Sequence, residues 1–139
     1  MTTWFDLSRT VVLPAHCDGY GHMNVRNYAA FFDDAGWHVL AMAGISLAEV
    51  KRRGLGTVVV TLTIDFHREI VAGQLALVRG AVTRVGNKSL AYELRLYEAD
   101  SMTHCATEKA VEVCFDTRER KGVPLPDDLR KKLEALVTP

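Results

Sequence analysis

The sequence predicts an α+β domain in which a five-stranded antiparallel sheet wraps around one long central helix. One long stretch carries apolar residues at helical spacing, and much of the remaining chain alternates apolar and polar residues as strands do. The connections between the alternating stretches are short, which favours antiparallel pairing. One face of such a sheet needs a cover, and the long helix can supply it.

The first predicted strand is a short β-branched run over residues 9–13, which Pro14 ends. A turn-rich loop follows it over residues 16–24. An Asp18-Gly19 pair and a second glycine, Gly21, indicate unusual backbone angles there. The loop therefore turns the chain sharply between the first strand and the helix that follows.

The long helix is predicted from Val25 to about Ala43. Its apolar stripe has helical spacing and comprises Tyr28, Phe31, Phe32, Ala35, Val39 and Met42. Asn24 is predicted to cap the start of this helix, and Gly44 to end it. Apolar residues off the stripe predict burial on more than one side.

Four further strands are predicted from alternating apolar and polar residues, over residues 57–66, 75–85, 90–97 and 108–116. In the last of them, Val111, Val113 and Phe115 alternate with Glu108, Glu112 and Asp116. A Gly86-Asn87 pair is typical of a hairpin turn. A short helix over residues 46–53 and a last helix from residue 126 or 127 to 137 complete the prediction.

Composition indicates one globular domain spanning residues 1–139, with 48% apolar and 24% charged residues. Seventeen basic and seventeen acidic residues give zero net charge, which argues against a nucleic-acid partner. No stretch approaches the roughly 20 apolar residues that cross a membrane, and residues 1–9 lack a signal-peptide pattern. Three cysteines without metal-type spacing predict a reduced compartment, so we expect a cytoplasmic protein.

The loop before the long helix places a carboxylate a few residues ahead of a helix N-terminus. Unpaired N–H groups at such an end carry partial positive charge and can hold a developing oxyanion. A thioester carbonyl set against them would be polarised, and Asp18 could attack its carbon or deprotonate a water. The loop thus has the layout that acyl transfer from a thioester requires.

Each residue in this loop also has an ordinary structural role. An Asp-Gly pair such as Asp18-Gly19 is common in turns, and Asn24 is a typical cap. Tyr28 at helical spacing suits a core, and His22 in a loop suits solvent or a backbone contact. Taken one at a time, these residues favour the structural roles.

The order of motifs along the chain carries a resemblance. Residues 15–37 resemble the 4-hydroxybenzoyl-CoA thioesterase branch of the hotdog superfamily, which has an aspartate, a glycine and an Asn-Tyr pair at this spacing. The match continues through Arg-Val-Gly-Asn-Lys-Ser at residues 84–89, Cys-Phe-Asp at 114–116 and Val-Pro-Leu-Pro at 123–126. This resemblance implies a hotdog acyl-CoA thioesterase whose active sites lie between subunits. No metal or cofactor is predicted. The two open edges of a five-stranded sheet predict a homodimer or homotetramer, since pairing edges across a two-fold axis removes them.

The resemblance also implies roles for particular residues. Asp18 matches the catalytic carboxylate, and Val25 matches the residue whose backbone N–H faces the thioester oxygen; His22 is the next catalytic candidate. Asp33 matches a position near the acyl end of the pocket, although a solvated helix residue is the common fate of such a side chain. Substrate-binding residues are predicted to be Gly21, Asn24, Asn27, Tyr28, Asp33, Lys88 and Ser89, of which Lys88 and Ser89 match contacts to coenzyme A phosphates.

Several alternatives remain open at this level. The Gly-His-Met-Asn run at residues 21–24 differs from the loop of the benzoyl-specific enzyme, so the acyl group is not carried over. A hotdog hydratase or dehydratase would pair Asp18 with His22, and a non-catalytic module would bind acyl-CoA without turnover. His16, Cys17, Asp18 and His22 are metal-ligand types, but their spacing fits no familiar zinc pattern.

Overall fold

The computed structural model describes residues 3–137, and these contain six strands and three α-helices. The strands are β1 (Phe5–Val11), β2 (Leu55–Phe66), β3 (Leu75–Val85), β4 (Ser89–Glu98), β5 (Thr103–Asp116) and β6 (Lys121–Gly122). The helices are α1 (Val25–Met42), α2 (Leu47–Arg53) and α3 (Asp127–Val137). A single 3₁₀ turn, Pro14–His16, precedes the loop that leads into α1.

Every strand pairing in the sheet is antiparallel, as the short connections predicted. The strand order is β1-β3-β4-β5-β2, and the short β6 pairs with the end of β5. Because β2 pairs only with β5 along this order, it forms one edge of the sheet, and β1 forms the other. The α+β class and the antiparallel sheet are therefore confirmed.

The prediction of five strands around one helix was too simple. Residues 121–122 add a sixth strand, which pairs with Phe115 and Asp116 and is too short to show a period in sequence. The first strand also begins at Phe5 instead of Arg9, because Phe5 and Asp6 already pair with β3 ahead of a register shift at Leu7. Such a shift interrupts the alternation that would have marked the strand.

Helix α1 packs on β3, β1 and β4 and buries the apolar stripe predicted for it, with one exception. Met42 at the end of the stripe is exposed. Gly36 is also buried, because a Cβ there would lie 3.0 Å from the Tyr92 hydroxyl oxygen on β4. The side chain of Asn24 accepts a hydrogen bond from the Arg26 N–H at 3.1 Å, which confirms the predicted cap.

Helix α1 leaves the inner face of β2 partly open. The side chains of Val59, Leu62 and Phe66 belong to this face, since they pair in register with buried residues of β5. They are nevertheless 45%, 49% and 50% exposed. A groove therefore runs between α1 and β2, with β5 as its floor.

No helix within residues 3–137 combines the length and the apolarity that a bilayer crossing requires.

Candidate active site

A cavity of about 290 Å³ opens at the N-terminus of α1. One wall comes from the loop and the first helical turn, and the other from the end of β2 and the residues that follow it. The lining residues are His22, Met23, Val25, Tyr28, Phe66, His67, Arg68 and Glu69. Three residues predicted from sequence, His22, Val25 and Tyr28, are thus brought together here.

Backbone hydrogen bonds hold the loop ahead of α1 in a hairpin-like form. Cys17 and Met23 make an isolated antiparallel bridge, and the Gly21 N–H donates to the Asp18 carbonyl at 3.0 Å. Gly21 has a φ of +89°, which a residue with a side chain rarely adopts. The Met23 N–H donates to the Ile70 carbonyl at 2.8 Å, which ties the loop to the chain beyond β2.

The Asp18 side chain is partly exposed and is engaged through one oxygen. Its Oδ1 accepts a hydrogen bond from the Tyr20 N–H at 2.9 Å, a contact typical of turns. Its Oδ2 makes no hydrogen bond to any residue between 3 and 137. Asp18 does not line the cavity at the helix end, but it belongs to the same short loop as His22.

The first amides of α1 are occupied with one exception. The Arg26 N–H donates to the Asn24 side chain, and the N–H groups of Asn27 and Tyr28 both donate to the Asn24 carbonyl, at 2.9 and 3.3 Å. The Val25 N–H has no acceptor in the described part of the chain. Because Val25 lines the cavity, this end of the helix offers a free donor to a group bound there.

Tyr28 closes the inner end of the cavity. Its ring meets that of Phe66 edge-on, with centroids 5.1 Å apart. Burial raises the pKa of Tyr28 to about 12, so its hydroxyl remains protonated near neutral pH. The residue can therefore donate a hydrogen bond but cannot serve as a base there.

His22 lies at the side of the cavity. Its Nδ1 lies 3.3 Å from the Met23 carbonyl oxygen, so Nδ1 carries the proton that this contact requires. Its Nε2 lies 3.9 Å from Glu69 Oε1 across the cavity wall. With Nδ1 engaged, Nε2 is the ring nitrogen left on the Glu69 side of the cavity.

The remaining predicted residues lie outside this cavity lining. Asn27 donates from Nδ2 to the His16 carbonyl at 2.8 Å and so braces the start of α1. Lys88 lies in the turn from β3 into β4, and Ser89 is the first residue of β4. The exposed Lys88 accepts a hydrogen bond at its carbonyl from the Cys114 N–H at 2.7 Å. Asp33 lines a second, smaller cavity of about 100 Å³.

The sequence did not predict the cavity wall formed by residues 66–69, at the end of β2 and just beyond it. Alternation predicts Phe66 as a strand residue, and His67, Arg68 and Glu69 have no predicted role. A signal was present, because three consecutive polar residues directly follow an apolar strand. Their position beside α1 depends on the Met23–Ile70 contact, which no local pattern reveals.

The second cavity brings the predicted residue Asp33 together with Glu112, which the sequence did not place in a site. Asp33, Gly36, Trp37 and Leu40 line it from α1, and Thr57, Val59, Tyr92 and Glu112 from the sheet. Glu112 is buried and accepts hydrogen bonds from the Thr57 hydroxyl at 2.8 Å and from the Tyr92 hydroxyl. Across residues 3–137, no three histidine, cysteine, aspartate or glutamate side chains form a group that could hold a metal ion.

Comparison with known proteins adds family information to this geometry. The family model of the thioesterase-like superfamily matches residues 12–133. The chain is 27% identical over 123 residues to the long-chain acyl-CoA thioesterase FadM of Escherichia coli strain K12, covering 88% of this chain and 92% of FadM.

Solved structures show the same fold. The PA5185 protein of Pseudomonas aeruginosa strain PAO1 has a TM-score of 0.81 at 29% identity, over 94% of this chain and 90% of that one. Slr0204, a 1,4-dihydroxy-2-naphthoyl-CoA thioesterase from Synechocystis, has a TM-score of 0.83 at 23% identity, over 99% of this chain and all of that one.

Proposed function

The chain belongs to the thioesterase-like superfamily and has its hotdog fold, and from that premise we propose that it hydrolyses an acyl-coenzyme A to the free acid and coenzyme A. The observation that carries the proposal is the free backbone N–H of Val25, the first residue of α1, which lines a cavity next to the Asp18 loop. The similarity to FadM, a long-chain acyl-CoA thioesterase, supports the choice of substrate class.

In this mechanism the thioester carbonyl oxygen accepts a hydrogen bond from the Val25 N–H. The partial positive charge of the helix end then stabilises the negative charge that develops on that oxygen. Asp18, through its unengaged Oδ2, either deprotonates a water or attacks the carbonyl carbon directly. In either route a carbon–oxygen bond forms, the carbon–sulfur bond breaks, and the coenzyme A thiolate leaves and takes up a proton. In the direct route water then hydrolyses the acyl–aspartyl anhydride, which releases the free acid and restores Asp18.

The other residues have supporting roles in the proposal. His22 presents Nε2 to the cavity, and Tyr28 keeps its proton and closes the pocket. Lys88, exposed in the β3–β4 turn, is proposed to meet a coenzyme A phosphate together with Ser89. Gly21, Asn24 and Asn27 shape the loop and the helix start, since their contacts are to backbone atoms or the helix cap.

Thiol release from purified protein tests this proposal. We expect at least one member of a panel of aliphatic and aromatic acyl-CoA esters to release free coenzyme A at a rate proportional to enzyme concentration. A thiol reagent and chromatography of the acid product would follow the reaction. Water addition to an enoyl-CoA without thiol release would support a hydratase instead, and tight binding without turnover would support a binding module.

We also propose that the active form is a homodimer, or a tetramer of dimers, with active sites between subunits. Strand β2 is an edge of 12 residues whose Val58, Val59 and Val60 are exposed, and pairing such edges across a two-fold axis would cover them. Sedimentation is therefore expected to give at least twice the 15.4 kDa chain mass.

A charge on this edge provides the matched test of the assembly. Val60→Lys is expected to shift the protein toward monomer and to lower its activity in parallel, because a lysine on a strand edge opposes edge pairing. Val11→Lys on the opposite edge, β1, is the control, since Val11 is also exposed. A monomer that retains full activity would contradict the proposed assembly.

A further inference from the structure

The two cavities lie between α1 and β2, one toward each end of the partly open face of β2. Phe66 at one end of β2 lines the cavity at the helix N-terminus, and Thr57 and Val59 toward its other end line the smaller one. The floor between them is the inner face of β5. An acyl chain that entered from the first cavity would therefore run along β5 beneath the partly exposed apolar side chains of β2.

Acidic side chains occupy this floor. In the β2–β5 register, Ala106 pairs with Phe66, Glu108 with Ile64, and Glu112 with Val59. Glu108 therefore lies two residues beyond the level of the first cavity, which is about 7 Å along the strand. Asp33 faces the same region from α1, eight residues and about 12 Å along the helix from Val25.

Glu108 differs from Glu112 in having no partner. Both side chains are almost fully buried, at 4% and 5% exposure, but only Glu112 is hydrogen-bonded. No hydrogen bond or ion pair of Glu108 exists within the described residues. No fully buried side-chain oxygen of residues 3–137 lacks a hydrogen-bond partner, so the unpartnered carboxylate of Glu108 keeps a narrow opening to the surface. A carboxyl group buried this deeply without a partner is nevertheless costly.

The electrostatic surroundings of Glu108 are uniformly negative. Burial, followed by the nearby carboxylates of Asp33 and Glu112, raises the pKa of Glu108 to about 7. No lysine, arginine or histidine of residues 3–137 contributes to its environment. A positive charge placed in the groove would relieve the repulsion among the three acidic groups and give Glu108 its missing partner.

We propose that this groove is the acyl subsite and that it selects acyl groups ending in a cationic ammonium group, which Glu108 and Asp33 receive. The inference rests on the proposed thioesterase function and narrows its substrate class. Ile64, Leu62 and Phe66 supply an apolar wall for the methylene chain. Trp37 and Tyr92 add aromatic surface at the far cavity, which favours a quaternary ammonium head.

Matched pairs of coenzyme A esters test the inference on the full-length protein. Trimethylammonioacetyl-CoA and 3,3-dimethylbutanoyl-CoA have the same shape and differ in charge. Each enzymatic rate is divided by the ester's enzyme-free hydrolysis rate, because an ammonium group beside the carbonyl also activates the thioester. A longer pair is 4-(trimethylammonio)butanoyl-CoA and 5,5-dimethylhexanoyl-CoA. Glutaryl-CoA serves as the anionic probe, and its enzyme-free thiol release is subtracted because its carboxylate can attack its own thioester. A quaternary ammonium group cannot attack its own thioester, so thiol release reports enzymatic hydrolysis.

In at least one pair, we expect kcat/KM for the cationic ester to exceed that for the neutral ester by about tenfold or more. The reason is that the bound ammonium group would neutralise the repulsion among the negatively charged carboxylates of the groove. Glutaryl-CoA is expected to be the poorest substrate. Glu108→Gln removes the unpartnered charge with almost no change of shape, and it is expected to lower the cationic-to-neutral ratio by about tenfold.

Asp34→Asn is the matched control for this variant. Asp34 is the neighbour of Asp33 on α1, but it lines a surface depression together with Leu7 and Ser8 of β1. Its loss should leave the cationic-to-neutral ratio unchanged, although the same amount of charge is removed. If Glu108→Gln does not fold, the ester pairs measured on the parent protein decide the matter by themselves.

The outcomes separate this inference from the function on which it rests. Hydrolysis of the neutral esters at least as fast as the cationic ones would overturn the inference and leave the thioesterase proposal standing. A Glu108→Gln variant that folds and keeps the parent's ratio would also overturn it. Absence of thiol release from every ester would instead count against the proposed function itself.

Discussion

Replacing Asp18 with asparagine is expected to lower kcat by at least about a hundredfold while the protein folds like the parent. The negative charge that serves as general base or nucleophile is lost, and general-base loss alone typically costs ~10²–10⁴ in rate. The turn should survive, because the asparagine side-chain oxygen can still accept the hydrogen bond from the Tyr20 N–H. KM should change much less, since the Val25 N–H is untouched.

Steady-state kinetics measure this loss of kcat, and thermal melts check that the variant folds. Two further variants test the position of the charge and the role of the neighbouring thiol. Asp18→Glu keeps the charge but moves it by about an ångström, so it tests position separately from charge. Cys17→Ser, one residue earlier, is expected to keep most of the turnover. The Cys17 thiol donates weakly to the Leu13 carbonyl at 3.6 Å, and no cationic group contacts it among residues 3–137.

Two results would reassign the chemistry. A folded Asp18→Asn variant within a few-fold of the parent rate would leave Asp18 as a turn residue, and His22 would become the next candidate. A loss in Cys17→Ser comparable to that in Asp18→Asn would point to a nucleophilic thiol instead.

Local chemical signals explain why α1 could be predicted closely. Asn24 caps the helix through a contact two residues away, and the apolar stripe depends only on helical spacing. The ends of β1 and the existence of β6 could not be predicted in the same way. They depend on pairing with β3 and β5, whose residues are distant in sequence.

The candidate site likewise has one part that local sequence determines and another that depends on contacts distant in sequence. The Asp18 loop and the helix start form one continuous segment, so the sequence placed them together. The wall at residues 66–69 joins them only through long-range backbone contacts such as Met23 N–H to the Ile70 carbonyl. The inward position of Glu108 could not be predicted from sequence. Alternation in β5 indicates that the strand has two faces, but it does not tell which face α1 and the groove will cover.

That inward position of Glu108 leads to a second large effect, on stability. Because its pKa is raised from the usual 4.5 to about 7, the folded protein binds a proton more tightly than the unfolded chain. The stabilisation that protonated Glu108 gives the folded state is fully present below pH 4.5, and it is lost as the pH rises to about 7. A shift of this size corresponds to about 3 kcal/mol, and water reaching the groove should reduce it to about 1–2 kcal/mol.

Glu108→Gln should therefore be more stable than the parent by about 1–2 kcal/mol at pH 8, and nearly equal to it at pH 4.5. Glutamine resembles the protonated glutamate at every pH, so the variant removes only the penalty of ionisation. Urea unfolding at both pH values and at one protein concentration measures the difference. Glu134→Gln, at an exposed position on α3, is the control and should show no such pH-dependent gain.

A gain at pH 8 together with a loss of preference for cationic esters would show that Glu108 lowers the stability of the unliganded protein in favour of recognition. Binding sites commonly retain such unfavourable groups, because the ligand supplies the missing partner. A Glu108→Gln variant equally destabilised at both pH values would contradict this account. It would mean that Glu108 acquires a partner in the assembled protein, such as a cation contributed by a second subunit.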